Sequence, residues 1–519
     1  MASSRFEQPD TSAPGRPRRK VYIDTLGCQM NKNDSELMLG LLAPYGFDQT
    51  LDKTQADLVI LNTCQIRANA EDKAFCTLQN WKALKHANPQ VKIAMGGCVA
   101  QQVKDEVFDK VPLVDIVFGT QNIQDLPRLV EEAFRKTARF SAPKTARRHK
   151  VLAADKQKPQ STYAYFDHIT PVRQSQVSAW ITIIEGCDYF CTYCVVPYTR
   201  GRQISRPAAS ILEEVRQVEQ QGYREITLLG QTVDSYGKDL APGYGLAELL
   251  YDLHETCPGI DRIRFMTSHP LDLGESIIQA VADLPRVMEY IHVPMQSGST
   301  AVLDRMRRGY SRQAYFELTD RIRQVVPGCG LSGDFIVGFP GETEAQFEET
   351  LSAVRRVGFD LANTAVYSAR QQTPAGLWEG RGEGTVADDV KAERLQVLND
   401  VVAQEAMRRN TVLVGQVVEV LVEGPSQRQR YQHRWRGRTR TNKVVNFDSS
   451  HPTADLTGQL LAVRIDQAGP FALQGHHNHE APDRLEAPDY MFLAQLGQGG
   501  SAGPAPEGDR LLADPVLAT

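Results

Sequence analysis

The chain has no long apolar run. No stretch of its 519 residues approaches the roughly 20 consecutive apolar residues that a membrane-spanning helix needs. Its start, Met1-Ala-Ser-Ser-Arg-Phe-Glu-Gln-Pro-Asp10, lacks the apolar core of a secretion signal. A cytoplasmic protein with neither leader nor membrane segment is expected. Cysteine is scarce as well. Nine in the whole chain are too few for a disulfide scaffold, and in a cytosolic enzyme they point to metal binding or catalysis. An excess of one charge is also missing. A net charge of −5 does not describe a surface that binds polyanions everywhere, so any basic site must be local. What is present, 41% hydrophobic and 23% charged residues, is the composition of a soluble globular protein. The length predicts about two to four domains.

The few cysteines are not scattered. Cys187-Asp-Tyr-Phe-Cys191-Thr-Tyr-Cys194 follows a run that reads as a buried strand, Ala179-Trp-Ile-Thr-Ile-Ile184, closed by Glu185-Gly186. Three thiols on a loop leaving a strand can fold around one iron–sulfur cluster. Four thiolates would complete a [4Fe–4S] site, and three leave one iron open to a ligand that is not protein. The alternatives are a zinc knuckle or inert buried thiols, but structural zinc takes four ligands and no His or fourth Cys lies close in sequence. CxxxCxxC after a strand resembles the radical S-adenosylmethionine (SAM) superfamily. The longer string Glu185-Gly-Cys-Asp-Tyr-Phe-Cys-Thr-Tyr-Cys-Val-Val-Pro-Tyr-Thr-Arg-Gly-Arg202 resembles the tRNA-modifying branch of its methylthiotransferase family. That resemblance implies that Cys187, Cys191 and Cys194 ligate a [4Fe–4S] cluster whose open iron binds SAM.

In chain order, residues 1–19 are rich in Pro, Ser, Gly and Arg and are expected to be disordered. Strands are expected at Val21–Leu26, Asp57–Asn62, Val91–Met95 and Val114–Phe118. Helical patterns begin near Asn33 and cover about 70–87 and 100–110. Strands alternating with helices predict a doubly wound parallel α/β domain over 20–140. Cys28, Cys64 and Cys98 each sit just past the carboxyl end of a successive strand, which puts all three on the edge where open α/β sheets bind ligands. The neighbouring Gly27 and Gly97 would let the backbone approach a bulky inorganic group. A second metal cluster is expected from this placement, with structural thiols the alternative. Thr25-Leu-Gly-Cys-Gln-Met-Asn31 resembles the family's N-terminal motif, whose three cysteines hold an auxiliary [4Fe–4S] cluster. Cys76, Cys257 and Cys329 match no such position and read as packing residues. Residues 141–175 form a basic linker; a segment touching nucleic acid is the alternative.

A second alternation spans 176–408, with strands expected at 179–185, 224–229, 261–267, 288–293, 331–337 and 363–368. Six βα units predict a partial (β/α)6 barrel, the shape of the radical SAM superfamily, with its chemistry at the strands' carboxyl ends. The resemblance nominates Gly230, Gln231, Ser268, Gln296 and Asp334 for the SAM pocket. The family usually has Asn where Thr232 and Asp234 stand, and those two positions are given no role.

Residues 409–475 read as a small β-barrel. Between its expected strands, Arg428, Arg430, Arg434, Arg436, Arg438, Arg440 and Lys443 give seven positive charges from 424 to 447 with no acid, interleaved with Tyr431, Trp435 and Phe447. Cations meet phosphates and rings stack on bases, so this surface suits RNA; a solvated charged hairpin is the alternative. Gly437-Arg-Thr-Arg-Thr-Asn-Lys-Val-Val-Asn446 resembles the RNA-binding TRAM domain of the same enzymes, and Arg434, Trp435, Arg436, Arg438, Arg440 and Lys443 are the candidate contacts. Residues 476–519, with His476-His-Asn-His479, are expected to be a disordered tail without a metal role.

The resemblance implies two [4Fe–4S] clusters and two SAM molecules per turnover. One SAM is cleaved to a 5′-deoxyadenosyl radical that takes hydrogen from an adenine, the auxiliary cluster presents sulfur, and the second SAM methylates it. An unactivated aromatic C–H bond offers no acidic proton, so a cofactor must supply the chemistry. The expected substrate is tRNA carrying N6-isopentenyladenosine at position 37, beside the anticodon, with a flavodoxin or ferredoxin as electron donor and the protein a monomer. The alternatives are threonylcarbamoyladenosine in tRNA, an aspartate of a ribosomal protein, or an iron–sulfur RNA-binding module without radical chemistry.

Overall fold

A computed structural model describes residues 18–65, 70–138, 150–154, 169–240, 242–370, 372–426, 434–449 and 455–478. Residues 1–17, most of the expected linker, Arg428, Arg430, Tyr431 and the chain from His479 onward lie outside the described residues. Two compact units are present. The first comprises the chain to Gln174 with Glu185–Tyr189 and Cys194–Ile204; the second comprises Ser175–Ile184, Phe190–Tyr193 and the chain from Ser205. Among the described residues, no helix is long and apolar enough to cross a membrane.

The first unit is built on a six-stranded parallel sheet. In spatial order its strands are Phe47–Gln49, Arg19–Thr25, Leu58–Thr63, Lys92–Gly97, Ile116–Phe118 and Val151–Ala153. Leu58–Thr63 and Lys92–Gly97 are buried along their whole length, as parallel strands covered on both faces must be. Alternate side chains serve alternate cores. Leu58, Ile60, Ala94 and Ile116 pack with Met38, Leu42, Leu129 and Val130. Val59, Leu61, Ile93, Met95 and Val117 pack with Ala74, Leu78, Trp81 and Val99. The flanking strands Phe47–Gln49 and Val151–Ala153 are three residues each, too short to show a pattern in the sequence. The helix expected over 70–87 is two, Ala70–Asn80 and Lys82–Ala87, parted at Trp81.

The second unit holds six parallel strands in chain order: Ser178–Thr182, Glu225–Leu229, Arg262–Phe265, Tyr290–His292, Gly330–Val337 and Leu361–Val366. They form two three-stranded ladders, joined by a single parallel bridge between Ile263 and Val287. This is the expected partial barrel. Its helices stop and start on local signals. Thr343 and Gln346 form a capping box at Glu344–Val357, and Gly358 ends that helix in the left-handed conformation.

The same unit carries a closed five-stranded barrel: Val417–Pro425, Arg434–Arg438, Val444–Asp448, Leu473–His477 and Leu460–Ala468 around the ring. Val418, Val420, Val422, Val445, Phe447, Val463 and Ile465 fill it, and closure leaves no free strand edge. Phe447, expected on the RNA face, is therefore core. His476 and His477, expected in the tail, belong to the strand Leu473–His477; there His476 Nδ1 meets Asp466 Oδ2 at 2.9 Å.

Candidate cluster and cofactor site

Strand order in the first sheet reverses between Arg19–Thr25 and Leu58–Thr63, and ligands bind outside the carboxyl ends of strands at such a switch. Cys28 and Cys64 follow those two strands, and Cys98 opens the helix after the next one, Lys92–Gly97. The Cys64 side chain hydrogen-bonds Cys28. This bond lowers the Cys28 thiol to about 6 against the opposing effect of burial, with further help from the Arg200 guanidinium. The role expected for the glycines changes. A Cβ on Gly27 would lie 2.2 Å from Cys64 Cβ, and one on Gly97 would lie 2.3 Å from Thr63 O. These glycines let the cysteine-bearing loops approach one another, which is a packing requirement in the protein itself. Asn31 fastens the same corner: its Nδ2 donates to Leu26 O at 3.0 Å and Thr63 O at 2.9 Å.

Cys187 and Cys191 are buried and Cys194 is half-buried. Cys187 and Cys194 belong to the first unit and Cys191 to the second. In the first unit, Cys187 N donates to Gly201 O at 3.2 Å. Asp188 accepts from Arg202 Nε at 2.6 Å and from Gln203 N at 2.9 Å. The two ends of the eighteen-residue string are thereby paired. In the second unit, Thr192 Oγ1 donates to Arg305 O at 2.8 Å, and Arg308 Nη1 lies 3.5 Å from Cys191 Sγ. Arg308 also bonds Pro294 O and Tyr310 Oη.

Both thiol sets fit iron–sulfur ligation by their donor chemistry: sulfur donors, each with a buried arginine at hand. Among the described residues no three His, Cys, Asp or Glu side chains converge on a single-ion site; a four-iron cube sets its thiolates farther apart than one ion does.

Three of the five expected SAM-pocket residues, Ser268, Gln296 and Asp334, share one hydrogen-bonded cluster toward the carboxyl ends of the second unit's strands. Ser268 N donates to His292 O at 3.0 Å, and Thr267 N to His292 Nδ1 at 3.2 Å. His292 Nε2 lies 3.4 Å from Asp334 Oδ1, which accepts from Asn363 Nδ2 at 2.9 Å. Gln296 N donates to Asp334 O at 2.8 Å. His292 and Asn363, which no motif singled out, are the connectors. Burial opposes ionisation of Asp334, but His292 and Asn363 outweigh it and hold the carboxyl below its usual range. Thr267 and Gln296 both have φ of +74°, a strained setting for residues with side chains that clusters at functional sites. Ser268 Oγ is buried without a hydrogen-bond partner among the described residues. Gly230 abuts Ile184, whose Cγ2 would lie 2.2 Å from an added Cβ; packing alone requires glycine there. Gln231 is half-buried beside it.

Residues 20–119 match a family model described as uncharacterized protein family UPF0004, 181–354 the radical SAM superfamily, and 411–477 the TRAM domain. A tRNA-2-methylthio-N(6)-dimethylallyladenosine synthase of Bacillus mycoides is 43% identical over 460 residues, 88% of this chain and 85% of the relative. Its counterpart in Bacillus cereus strain B4264 matches equally. The chain belongs to this synthase family. It is an enzyme of the radical SAM superfamily, whose members use an iron–sulfur cluster and SAM. Among solved structures, the radical SAM methyltransferase TsrM of Kitasatospora setae superposes with a TM-score of 0.50 at 13% identity, covering 70% of this chain and 76% of its own. That likeness speaks for the fold alone.

The TRAM barrel corrects part of the RNA expectation. Arg440 and Lys443 do not face outward. Arg440 Nη2 lies 2.6 Å from Glu289 Oε1, and Lys443 Nζ lies 2.5 Å from Asp360 Oδ1 and 2.7 Å from Asn410 Oδ1, all largely buried. The carbonyls of Arg438, Thr439 and Arg440 accept from Arg262 and Arg264. Glu289, Asp360, Arg262 and Arg264 all lie at or near the amino ends of the parallel strands. The turn at 439–443 therefore plugs the mouth of the partial barrel opposite its chemistry. Arg434 pairs with Asp448 at 3.0 Å, and Arg436 and Arg438 pair with Glu423 at 3.4 and 2.7 Å. The acids missing from the run come from its ends and from the neighbouring strand. Trp435 is half-buried against the barrel core. Arg434 and Arg436 remain on the outer side, partly exposed. Cys257 and Cys329 are fully buried, as packing residues should be, but Cys76 is exposed.

Proposed function

We propose that the protein inserts sulfur and then a methyl group at C2 of N6-isopentenyladenosine at position 37 of tRNA. The observation that carries this beyond membership of the superfamily is the second thiol set. Radical generation needs three cysteines, yet Cys28, Cys64 and Cys98 gather at the switch point of a separate sheet. On this reading Cys187, Cys191 and Cys194 hold the cluster that meets SAM, and Cys28, Cys64 and Cys98 an auxiliary one. When bound, these groups and two SAM molecules per turnover supply the radical, the sulfur and the methyl group. The chain's own share is orientation. Ser268, Gln296 and Asp334, braced by His292 and Asn363, line the strand ends that would receive SAM. Arg308 packs against Cys191 and fixes Pro294 and Tyr310 beside it. Arg434 and Arg436 offer charge to the RNA backbone, which supplies affinity but no base identity. The printed function of the relatives, a tRNA adenosine modification, and the TRAM match support a tRNA substrate over a ribosomal-protein aspartate. A flavodoxin or ferredoxin would provide electrons in the cytoplasm, with the enzyme acting as a monomer.

Mass spectrometry of tRNA nucleosides from cells with and without the protein tests the reading. Loss of the methylthio group from isopentenyladenosine is expected. Loss only from threonylcarbamoyladenosine, or from no nucleoside, refutes it.

A further inference from the structure

Arg200 ligates nothing, yet it is deeply engaged within the first unit. It follows the short helix Val196–Thr199 after Cys194, and its side chain is 3% exposed. Nη2 donates to Asp34 Oδ2 at 2.6 Å and Asn31 Oδ1 at 3.2 Å, and Nη1 to Glu185 Oε1 at 3.2 Å. Asn31 and Asp34 lie on the helix Gln29–Leu42 that Cys28 caps. Asn31 Oδ1, which accepts from Arg200, also lies 3.8 Å from Cys28 Sγ, so the guanidinium and the thiol share one acceptor. A buried guanidinium costs several kcal/mol in lost hydration and must be paired to persist. Asp34 and Glu185 are its counter-ions, and the guanidinium lies beside a thiol as well. A cluster held by three thiolates is anionic, and an added electron makes it more so. Local charge is among the factors that set cluster potentials.

We propose that Arg200 is a positioning residue of the auxiliary cluster: its guanidinium, held beside Cys28, raises the reduction potential of the cluster that Cys28 helps ligate above what a neutral side chain there would give. This rests on the reading above that Cys28, Cys64 and Cys98 hold a cluster. Asp34 and Glu185 have the opposite effect, offsetting that charge.

The test uses the full chain with Cys187, Cys191 and Cys194 replaced by Ala, reconstituted anaerobically with iron and sulfide. Iron per chain and the midpoint potential, from an optical titration with dithionite and redox mediators, are measured. Arg200→Gln shifts the potential negative with iron retained, and Arg200→Lys recovers most of that shift. Asp34→Asn, the same shape with one negative charge fewer, shifts it positive; this variant keeps the test open if Arg200→Gln does not fold. Retained iron with an unchanged potential in Arg200→Gln, or a negative shift in Asp34→Asn, overturns the proposal. Absence of iron from the parent triple variant overturns the cluster reading beneath it instead.

Discussion

Asp360→Asn is the sharpest test of where the basic turn of the TRAM barrel points. In the native chain the Asp360 carboxylate is 3% exposed and sits between two buried cations, Lys443 Nζ at 2.5 Å and Arg409 Nε at 2.8 Å. Its second oxygen accepts from Leu331 N at 3.0 Å. The amide removes the negative charge while keeping the shape, so two largely buried cations lose this counter-ion. Removing one partner of a buried pair costs about 3–5 kcal/mol. With a urea dependence of about 3 kcal/mol per molar, the unfolding midpoint of the second unit should fall by roughly 1–1.7 M. Trp435, half-buried against the barrel core, gives a fluorescence signal for it. Arg434→Gln with Arg436→Gln on the outer side should move the midpoint little, because exposed pairs contribute about 0–1 kcal/mol. If Asp360→Asn unfolds at the wild-type urea concentration, the turn does not plug the barrel mouth and the docking argument fails.

The pH dependence follows with its sign. Burial alone would raise the Asp360 carboxyl, but Arg409 and Lys443 hold it well below the usual carboxylate range. A depressed folded value means the stabilisation is complete above the unfolded value, about 3.9, and is lost only as pH falls through the lower folded value. Docking of the TRAM barrel should therefore persist at pH 4–5. The Asp360→Asn chain should lack this contribution to acid sensitivity.

Iron analysis should find about eight irons per chain after anaerobic reconstitution, two [4Fe–4S] sites, and about half that in either triple-Ala variant of the cysteines. Equal iron in wild type and the Cys28/Cys64/Cys98 variant would remove the auxiliary site. Cys191→Ala should abolish both 5′-deoxyadenosine formation and thiolation, and normal thiolation by it in an anaerobic assay would sink the assignment. The Cys187/Cys191/Cys194 variant should keep slow demethylation of SAM, which needs only a nucleophilic sulfide, and the Cys28/Cys64/Cys98 variant should lose it; the reverse pattern would swap the two sites. Arg434→Gln with Arg436→Gln should weaken tRNA binding and lower its salt dependence by up to about one phosphate contact per charge removed. Reductant-driven SAM cleavage without tRNA should stay intact, and an unchanged salt slope would take these residues off the RNA face.

Much of this was legible because it is periodic. Leu58–Thr63 and Lys92–Gly97 are apolar on both faces, which only a doubly covered parallel sheet explains, and three cysteines at the same step of three βα units needed no structure to be noticed. Partners distant in the chain left no such trace. Lys443 and Arg440 read as part of a solvated or RNA-facing run, since their neighbours in sequence are equally basic. Their carboxylates, Asp360 and Glu289, lie 83 and 151 residues away. His292 was invisible for the same reason: a polar residue ending a strand is ordinary until Asp334 and Thr267 are seen around it.

The eighteen-residue string shows how a motif can be specific for more than the site it names. Cys187, Cys191 and Cys194 account for three of its positions. Much of the rest is attached to the first unit's sheet. Thr199 O accepts from Thr120 Oγ1 at 2.7 Å and Arg200 O from Gln121 Nε2 at 3.1 Å, both on the segment after the strand Ile116–Phe118. The side chains of Glu185 and Arg200 close on Asp34 and Asn31 beside Cys28. The carboxyl half of the string thus carries, besides its cysteines, the contacts that fasten it to the first unit's sheet and to the helix that follows Cys28.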